Sequence, residues 1–331
     1  MDTSQERTMD GILNVYKEKG FTSHDVVAKL RGILHQKKIG HTGTLDPDAV
    51  GVLPVCLGRA TRVCGLLTDR SKTYEAVVRL GVVTDTQDMT GNIQEEHPVS
   101  VSLDEIRQAA QAFSGEIWQI PPMYSAVKVN GKRLYELARQ GIEVERQARK
   151  ITIYSCEVME HMPETMEFSM RVHCSKGTYI RTLCHDMGQK LGCGAAMASL
   201  VRTSVAPFFL EKAHTLAEIE GIYKDGKIEE ILYPVDHVFK KYPAVIVEEK
   251  GLRFLKNGND VAGEFCQCGE VLTEGALVRM YDETQRFYAI YKYRDSRQGF
   301  GIHKMFFNEG SAIYTDRKAR DRDEDSGTRT I

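Results

Sequence analysis

The period of the hydrophobic pattern changes repeatedly along this chain, and that alternation restricts the fold more than any single motif. Residues 22–35, TSHDVVAKLRGILH, bring Val26, Val27, Leu30, Ile33 and Leu34 onto one helical face, with Ser23 placed to cap the start. Tyr74 to Leu80 (YEAVVRL) then alternates with a period of two, as a half-buried strand does. Ser102 and Glu105 form a capping box ahead of Ile106, Ala109, Ala110 and Phe113. Phe168, Met170, Val172 and Cys174 share one face of a strand over 167–174. Thr178 opens a helix carrying Ile180, Leu183, Cys184, Met187 and Leu191, which Gly192 ends. Strands in hairpin-like order with intervening helices, and no repeat, predict an α+β fold with a mixed, largely antiparallel sheet.

The length of 331 residues suits two domains. Composition shifts near residue 240, where short alternating strands (Ala276 to Tyr281, Phe287 to Tyr293) are separated by turns such as Asn257-Gly258. The expected division is a larger domain over 1–240, a small β-domain over 241–315 and a charged tail over 316–331. That tail has five acidic and five basic residues and no apolar periodicity, so it is expected to be disordered. No apolar run approaches the ~20 residues of a membrane span, and the polar MDTSQERTMDG start is unlike a signal or transit peptide. A cytoplasmic location is expected, and nothing demands more than a monomer. Of eight cysteines only Cys266 and Cys268 have a metal-like spacing, and zinc would need a second pair, so no metal is expected.

Asp46 lies in GHTGTLDPDAVGVLP (40–54), where Gly40, Gly43, Pro47, Gly51 and Pro54 bend the backbone sharply. Such a loop can hold one carboxylate in place, although an aspartate there can equally be a local cap. With a net charge of −2, any contact with a polyanion must rest on local patches. Residues 17–38 carry six Lys/Arg against two Asp/Glu, and residues 123–150 seven against three. Tyr74, Tyr124, Tyr135 and Tyr179 stand among these cations, as a base-stacking surface requires. In CSKGTYIRTL, Lys176, Gly177 and Thr178 can meet phosphate at a helix start, and Arg181, if buried, needs an anion, for which Asp46 is a candidate. Asp85 and Asp88 in TDTQDMTG read first as a polar turn. Nucleotide-loop, zinc-protease and serine-hydrolase motifs are missing, and a glycosidase would want a second positioned carboxylate. One framed carboxylate, stacking tyrosines, an arginine and basic patches suit a cofactor-free reaction on a nucleobase.

These residues lie in blocks that resemble the TruB family of tRNA pseudouridine synthases: GILNVYKEKGFTSHDVV, KIGHTGTLDPDAVGVLPVCLGRATR, KTYEAVVRLGVVTDTQD, GEIWQIPPMYSAVKVNGKRLYELARQG and CSKGTYIRTLCHDMGQKLGCGAAMASLVRTSV. They run in family order from residue 11 to about 205, and RFLKNGNDV followed by short strands resembles an RNA-binding PUA domain. The resemblance implies isomerisation of uridine 55 in the T-loop of tRNA, without cofactor or metal. It implies Asp46 as the catalytic aspartate, Tyr74 stacking on the flipped base and moving a proton at C5, and Arg181 pairing with Asp46 to keep it ionised. Tyr179 and Leu200 would line the pocket, His41 would take the space left by the flipped nucleotide, and Lys17 would face the RNA. Lys17-Glu18-Lys19-Gly20 departs from the family's K-P-x-G, and Asp48 is expected to raise the pKa of Asp46 slightly. Two other readings stay open at this point: an RNA-binding protein whose catalysis is dispensable, and an enzyme that releases free uracil.

Overall fold

In the computed structural model, which describes residues 8–306, two almost wholly buried segments become central strands covered on both faces. They are β1 (Gly11–Lys17) and β3 (Val50–Leu57), antiparallel from Gly11 opposite Leu57 to Lys17 opposite Gly51. Between them come α1 (Ser23–Ile33) and the short β2 (Ile39–His41), which pairs with β3. The proposed tail and the last residues of the expected β-domain lie outside the described residues.

β4 (Lys72–Leu80) buries alternate residues. It is followed by α2 (Leu103–Ala112), β5 (Gly115–Gln119), β6 (Arg149–Met162), β7 (Glu167–Cys174), α3 (Ile180–Leu191) and β8 (Ala195–Val205). In space the sheet runs Leu232–Tyr233, β1, β3, β8, β4, β7, β6, β5. Its pairs are antiparallel except where β8 meets β3 at Val201↔Val50 and Arg202↔Gly51. This is the α+β, largely antiparallel architecture that the changing periods predict.

One face of β4, β7 and β8 packs on α2 and α3 through residues such as Val78, Phe168, Met170, Leu183 and Met187. Each such side chain contributes ~1.5–3 kcal/mol of burial. Leu13, Val15, Leu53 and Val55 pack against α1 and the helix Leu216–Lys224. The opposite faces of β1 and β3, at Ile12, Val52 and Cys56, meet Val238, Phe239, Ile290 and Phe306. The last two belong to the C-terminal part of the chain, whose six-stranded, barrel-like sheet begins at Ala244 and has its own core around Val245, Val278, Tyr288 and Tyr291. Cys266–Cys268 is a strand at its edge. No helix among the described residues is long and apolar enough to cross a membrane.

The caps refine the sequence reading. Ser102 and Glu105 cap α2 reciprocally, and Gly192 ends α3 in a left-handed conformation. Thr22, with Asp25, caps α1 in place of Ser23, because the buried Ser23 hydroxyl accepts a hydrogen bond from Leu45 N–H at 3.0 Å. Tyr179, not Thr178, is the N-cap of α3.

The close approach of β3 to β8 depends on Gly51, which has φ +108° and a hypothetical Cβ 2.3 Å from the Arg202 carbonyl oxygen. Gly51→Ala is expected to destabilise the fold by roughly 2–5 kcal/mol, combining backbone strain and overpacking. Urea unfolding measures this, and a change within experimental error would mean that the two strands can separate freely.

Candidate active site

The loop between β2 and β3 has little regular structure, yet its backbone is tied down on every side. Leu45 N–H reaches Ser23, and Leu45 itself is buried in the core. The Pro47 carbonyl accepts hydrogen bonds from Gly20 N–H at 2.9 Å and from Lys17 Nζ at 3.0 Å. Thr42 donates through both its N–H and its hydroxyl to the Pro54 carbonyl. Gly43, at φ +115°, supplies the left-handed turn. Asp46 therefore projects from a fixed frame, with 42% of its side chain exposed.

Arg181, in the first turn of α3, meets it. Nε lies 3.0 Å from Asp46 Oδ2, and Nη2 lies 3.4 Å from Oδ1. The same guanidinium donates to the carbonyls of Thr86 (3.1 Å) and Tyr124 (2.7 Å) and lies 3.5 Å from Asp88 Oδ2. Asp88 is thus both the polar turn that its sequence suggests and a second partner of Arg181. Its Oδ1 accepts from Thr86 and from Thr90 N–H.

Burial pushes the Asp46 carboxyl above its ordinary range; Arg181 opposes this, while the Asp88 charge reinforces it. Two expectations change here. Arg181 offsets the desolvation of Asp46 only in part, and the nearby like charge is that of Asp88. Asp48 points outward to Lys19 at 3.9 Å, both of them well exposed.

Tyr74 (7% exposed), Leu200 and Ile180 belong to the same apolar cluster as Leu45, and the Tyr74 phenol is near enough to Asp46 to feel its charge. Burial raises the Tyr74 phenol, and Arg202, its direct partner across β4–β8, pulls it back. Tyr179 is held by Gln119, whose amide accepts from Tyr179 N–H (2.8 Å) and donates to its carbonyl (3.0 Å). Its phenol is also raised by burial and eased by Ser125. The structure therefore brings Asp46, Arg181, Tyr74 and Tyr179 together, and Leu200 lies on the same strand face as the partner of Tyr74. Gln119 carries no sequence signal of its role, since it ends a short strand far along the chain.

Lys17 does not face solvent. Its side chain is fully buried, and Nζ donates to the carbonyls of Glu18 (3.1 Å), Phe21 (2.6 Å) and Pro47 (3.0 Å). The expected contact with RNA is corrected to a tether on the residue after Asp46, because β1 is covered on both faces. Lys72, also buried, donates to the carbonyls of Thr68 and Arg70.

His41 is half-buried, with Nδ1 3.3 Å from the Gly43 carbonyl and its ring edge-on to His24 at 5.1 Å. Burial, then the charge of His24, lowers its pKa, so its imidazole is neutral at pH 7. It lines a groove of about 630 Å³ with Arg31, Lys37 and Lys38, and no acidic residue is among those lining it. Lys176 is exposed and pairs with Asp69 at 2.7 Å. In the basic stretch after Tyr124, the faces of Tyr135 already meet Arg133 and Arg139 at 5.7 and 5.6 Å.

Residues 31–180 match the TruB family pseudouridylate synthase N-terminal domain, and residues 181–240 match the tRNA pseudouridylate synthase B C-terminal domain. The chain is 51% identical over 306 residues to tRNA pseudouridine synthase B of Lachnoclostridium phytofermentans, covering 90% of this chain and all of that protein. It is 43% identical over 297 residues to the Bacillus anthracis protein of the same name, covering 88% of this chain and 95% of that one. Among solved structures, a Cbf5–Nop10–Gar1 complex aligns at TM-score 0.69 and 30% identity, over 92% of this chain and 87% of that one. An H/ACA RNP bound to a substrate RNA containing 2′-deoxyuridine aligns at 0.69 and 26%, over 94% and 93%.

Arg181→Met leaves Asp46 and Asp88 without their cation and is expected to cost about 3–5 kcal/mol. Asp46→Asn should cost far less, because Asp88, Thr86 and Tyr124 still hold Arg181. Equal losses in urea unfolding would contradict this division of labour.

Proposed function

Because this chain belongs to the TruB family of pseudouridylate synthases, we propose that it isomerises uridine 55 in the T-loop of tRNA to pseudouridine, with Asp46 as the single catalytic carboxylate. The observation that carries this reading is a half-open carboxylate, clamped by Arg181 and neighboured by Tyr74 and Tyr179. Relatives named tRNA pseudouridine synthase B and a structural neighbour bound to RNA support the substrate class.

The target uracil leaves its stack, at a cost of a few kcal/mol that contacts along the RNA offset. The neutral His41 ring fills the space it vacates, and Lys176 at the rim meets backbone phosphate, exchanging Asp69 for it. Tyr74 stacks on the base, and Tyr179 and Leu200 close the pocket. The C1′–N1 bond breaks, the uracil turns, and C5 bonds to C1′. Asp46 assists by attack on the base or ribose, or by taking a ribose proton. Arg181 fixes the direction of the carboxylate with two donors, which keeps it aligned through either route. Every atom of the substrate is rejoined, so the reaction consumes no cofactor. The catalytic residues lie within the domain up to residue 240, the C-terminal sheet binds RNA, and a monomer suffices.

Tritium release from tRNA containing [5-³H]uridine tests this. The intact protein should release tritium and form pseudouridine, whereas Asp46→Asn should bind tRNA and release none. Asp46 must be ionised, so kcat/KM should be retained above its raised pKa and fall as pH drops through it. Tritium release retained by Asp46→Asn would remove Asp46 from the role. Free uracil as product would replace isomerisation with base release.

A further inference from the structure

Arg202 heads the fully enclosed side chains by size, and no carboxylate lies within ion-pair distance of it among the described residues. Nε donates to the Val52 carbonyl at 2.7 Å, and Nη1 reaches the Thr44 carbonyl at 3.5 Å. Nη2 is buried without a hydrogen-bond partner. A buried cation lacking an anion is costly, and two carbonyls do not complete its solvation. Its neighbours make matters worse. Lys17 and Lys72 are each held down to about 8, by burial first, with the charge of Arg202 also lowering both.

The position of Arg202 gives this cost a purpose. It stands directly opposite Tyr74 in the antiparallel β8–β4 pair, so the two side chains leave the sheet on the same face as neighbours. Its Nη1 also lies 3.9 Å from where a Cβ of Gly43 would sit, beneath the loop that carries Asp46. Among the charged and titratable groups that face the Tyr74 phenol, Arg202 on β8 favours the phenolate. Cys174 on β7 and Asp46 in the loop act in the opposite sense, and burial does so most of all. Lys72, two residues away on β4 itself, spends its ammonium on the carbonyls of Thr68 and Arg70.

We propose that Arg202 is a positioning residue that readies Tyr74 to take the proton from C5 of the rearranged uracil. This rests on the isomerase reading above. Once C5 is bonded to C1′, it carries one hydrogen too many for an aromatic ring. The phenol proton passes to N1, the nitrogen released from the ribose. The resulting phenolate then takes the C5 proton, the electron pair of that C–H bond restores the C5–C6 double bond, and the C6=N1 π pair returns to N1. Tyr74 ends as it began, and the product differs from the substrate only in its connectivity. Arg202 supplies the positive charge that this transient phenolate needs in a buried setting.

The test compares wild type with Arg202→Met and Arg202→Lys in two measurements. In the first, single-turnover pseudouridine formation is followed on tRNA containing [5-¹H]- or [5-²H]uridine. Arg202→Met should be slower and should show a larger primary isotope effect than wild type, and Arg202→Lys should recover part of both. In the second, 3-fluorotyrosine placed at position 74 is titrated by ¹⁹F NMR in RNA-free protein. The phenol midpoint should rise by about one to three pH units in Arg202→Met. Slow turnover with an unchanged isotope effect and an unchanged midpoint would reduce Arg202 to a packing role and overturn the proposal, as would unchanged turnover. Should the Met variant not fold, Arg202→Gln against Arg202→Lys gives the same comparison. Wild type that forms no pseudouridine would defeat the isomerase reading itself, a result separable from the titration because that needs no RNA.

Discussion

The guanidinium of Arg181 binds oxygens of Asp46, Asp88, Thr86 and Tyr124, and so joins three separate loops to the first turn of α3. None of these loops has regular structure to hold its own shape. A planar cation with five donors in a fixed fork can satisfy several oxygens at set angles, which a lysine ammonium cannot do in the same way. The Asp46 contact is one of several that Arg181 makes, and that carboxylate is half-open to solvent. Its rigidity comes from the other partners, which hold the guanidinium whether or not Asp46 is ionised.

Beneath this ion pair lies an unusual floor of buried cations. Lys17 and Lys72 are solvated by backbone carbonyls, as is Arg202 in part. Lys17 titrates at about 8 in the folded chain against 10.5 ordinarily, because burial disfavours its charge. The cost of burying that charge is fully present below pH 8 and fades as pH rises towards 10.5. The same rise removes a proton that tethers Pro47. Base therefore relieves the fold of a charge while loosening the loop next to Asp46.

Much of this was legible in the residues. Alternation in YEAVVRL and EFSMRVHC marked strands because each has one covered face, and GHTGTLDP framed Asp46 because glycine and proline leave the backbone few alternatives. Arg181 needed an anion, and Asp46 provided it. Tyr74 stood out by its place beside Lys72, whereas Leu200 entered only through the family resemblance, since a leucine on a strand reads as ordinary core. Lys17 was misplaced for a physical reason: periodicity sorts apolar from polar positions and cannot show that a lysine finds its solvent in carbonyl oxygens. Asp88 and Ser23 hid behind local roles that their sequences fit equally well. Arg202 was invisible because VRTSV looks like a half-exposed strand until its neighbour across the sheet is known.

The double covering of β1 and β3 couples the central sheet thermodynamically to the C-terminal sheet. One face of this strand pair rests on α1 and the helix Leu216–Lys224, and the other rests partly on Ile290 and Phe306. The amides of β1 and β3 cannot open to water until those contacts part, so their exchange should follow unfolding on a global scale rather than local fraying. The C-terminal sheet thereby acts as a brace behind the strands that anchor Lys17 and the Asp46 loop. The tethers of Lys17 and Ser23 on the Asp46 loop start from elements that this brace holds in place, so the distance from the sheet to Asp46 becomes a property of the whole molecule.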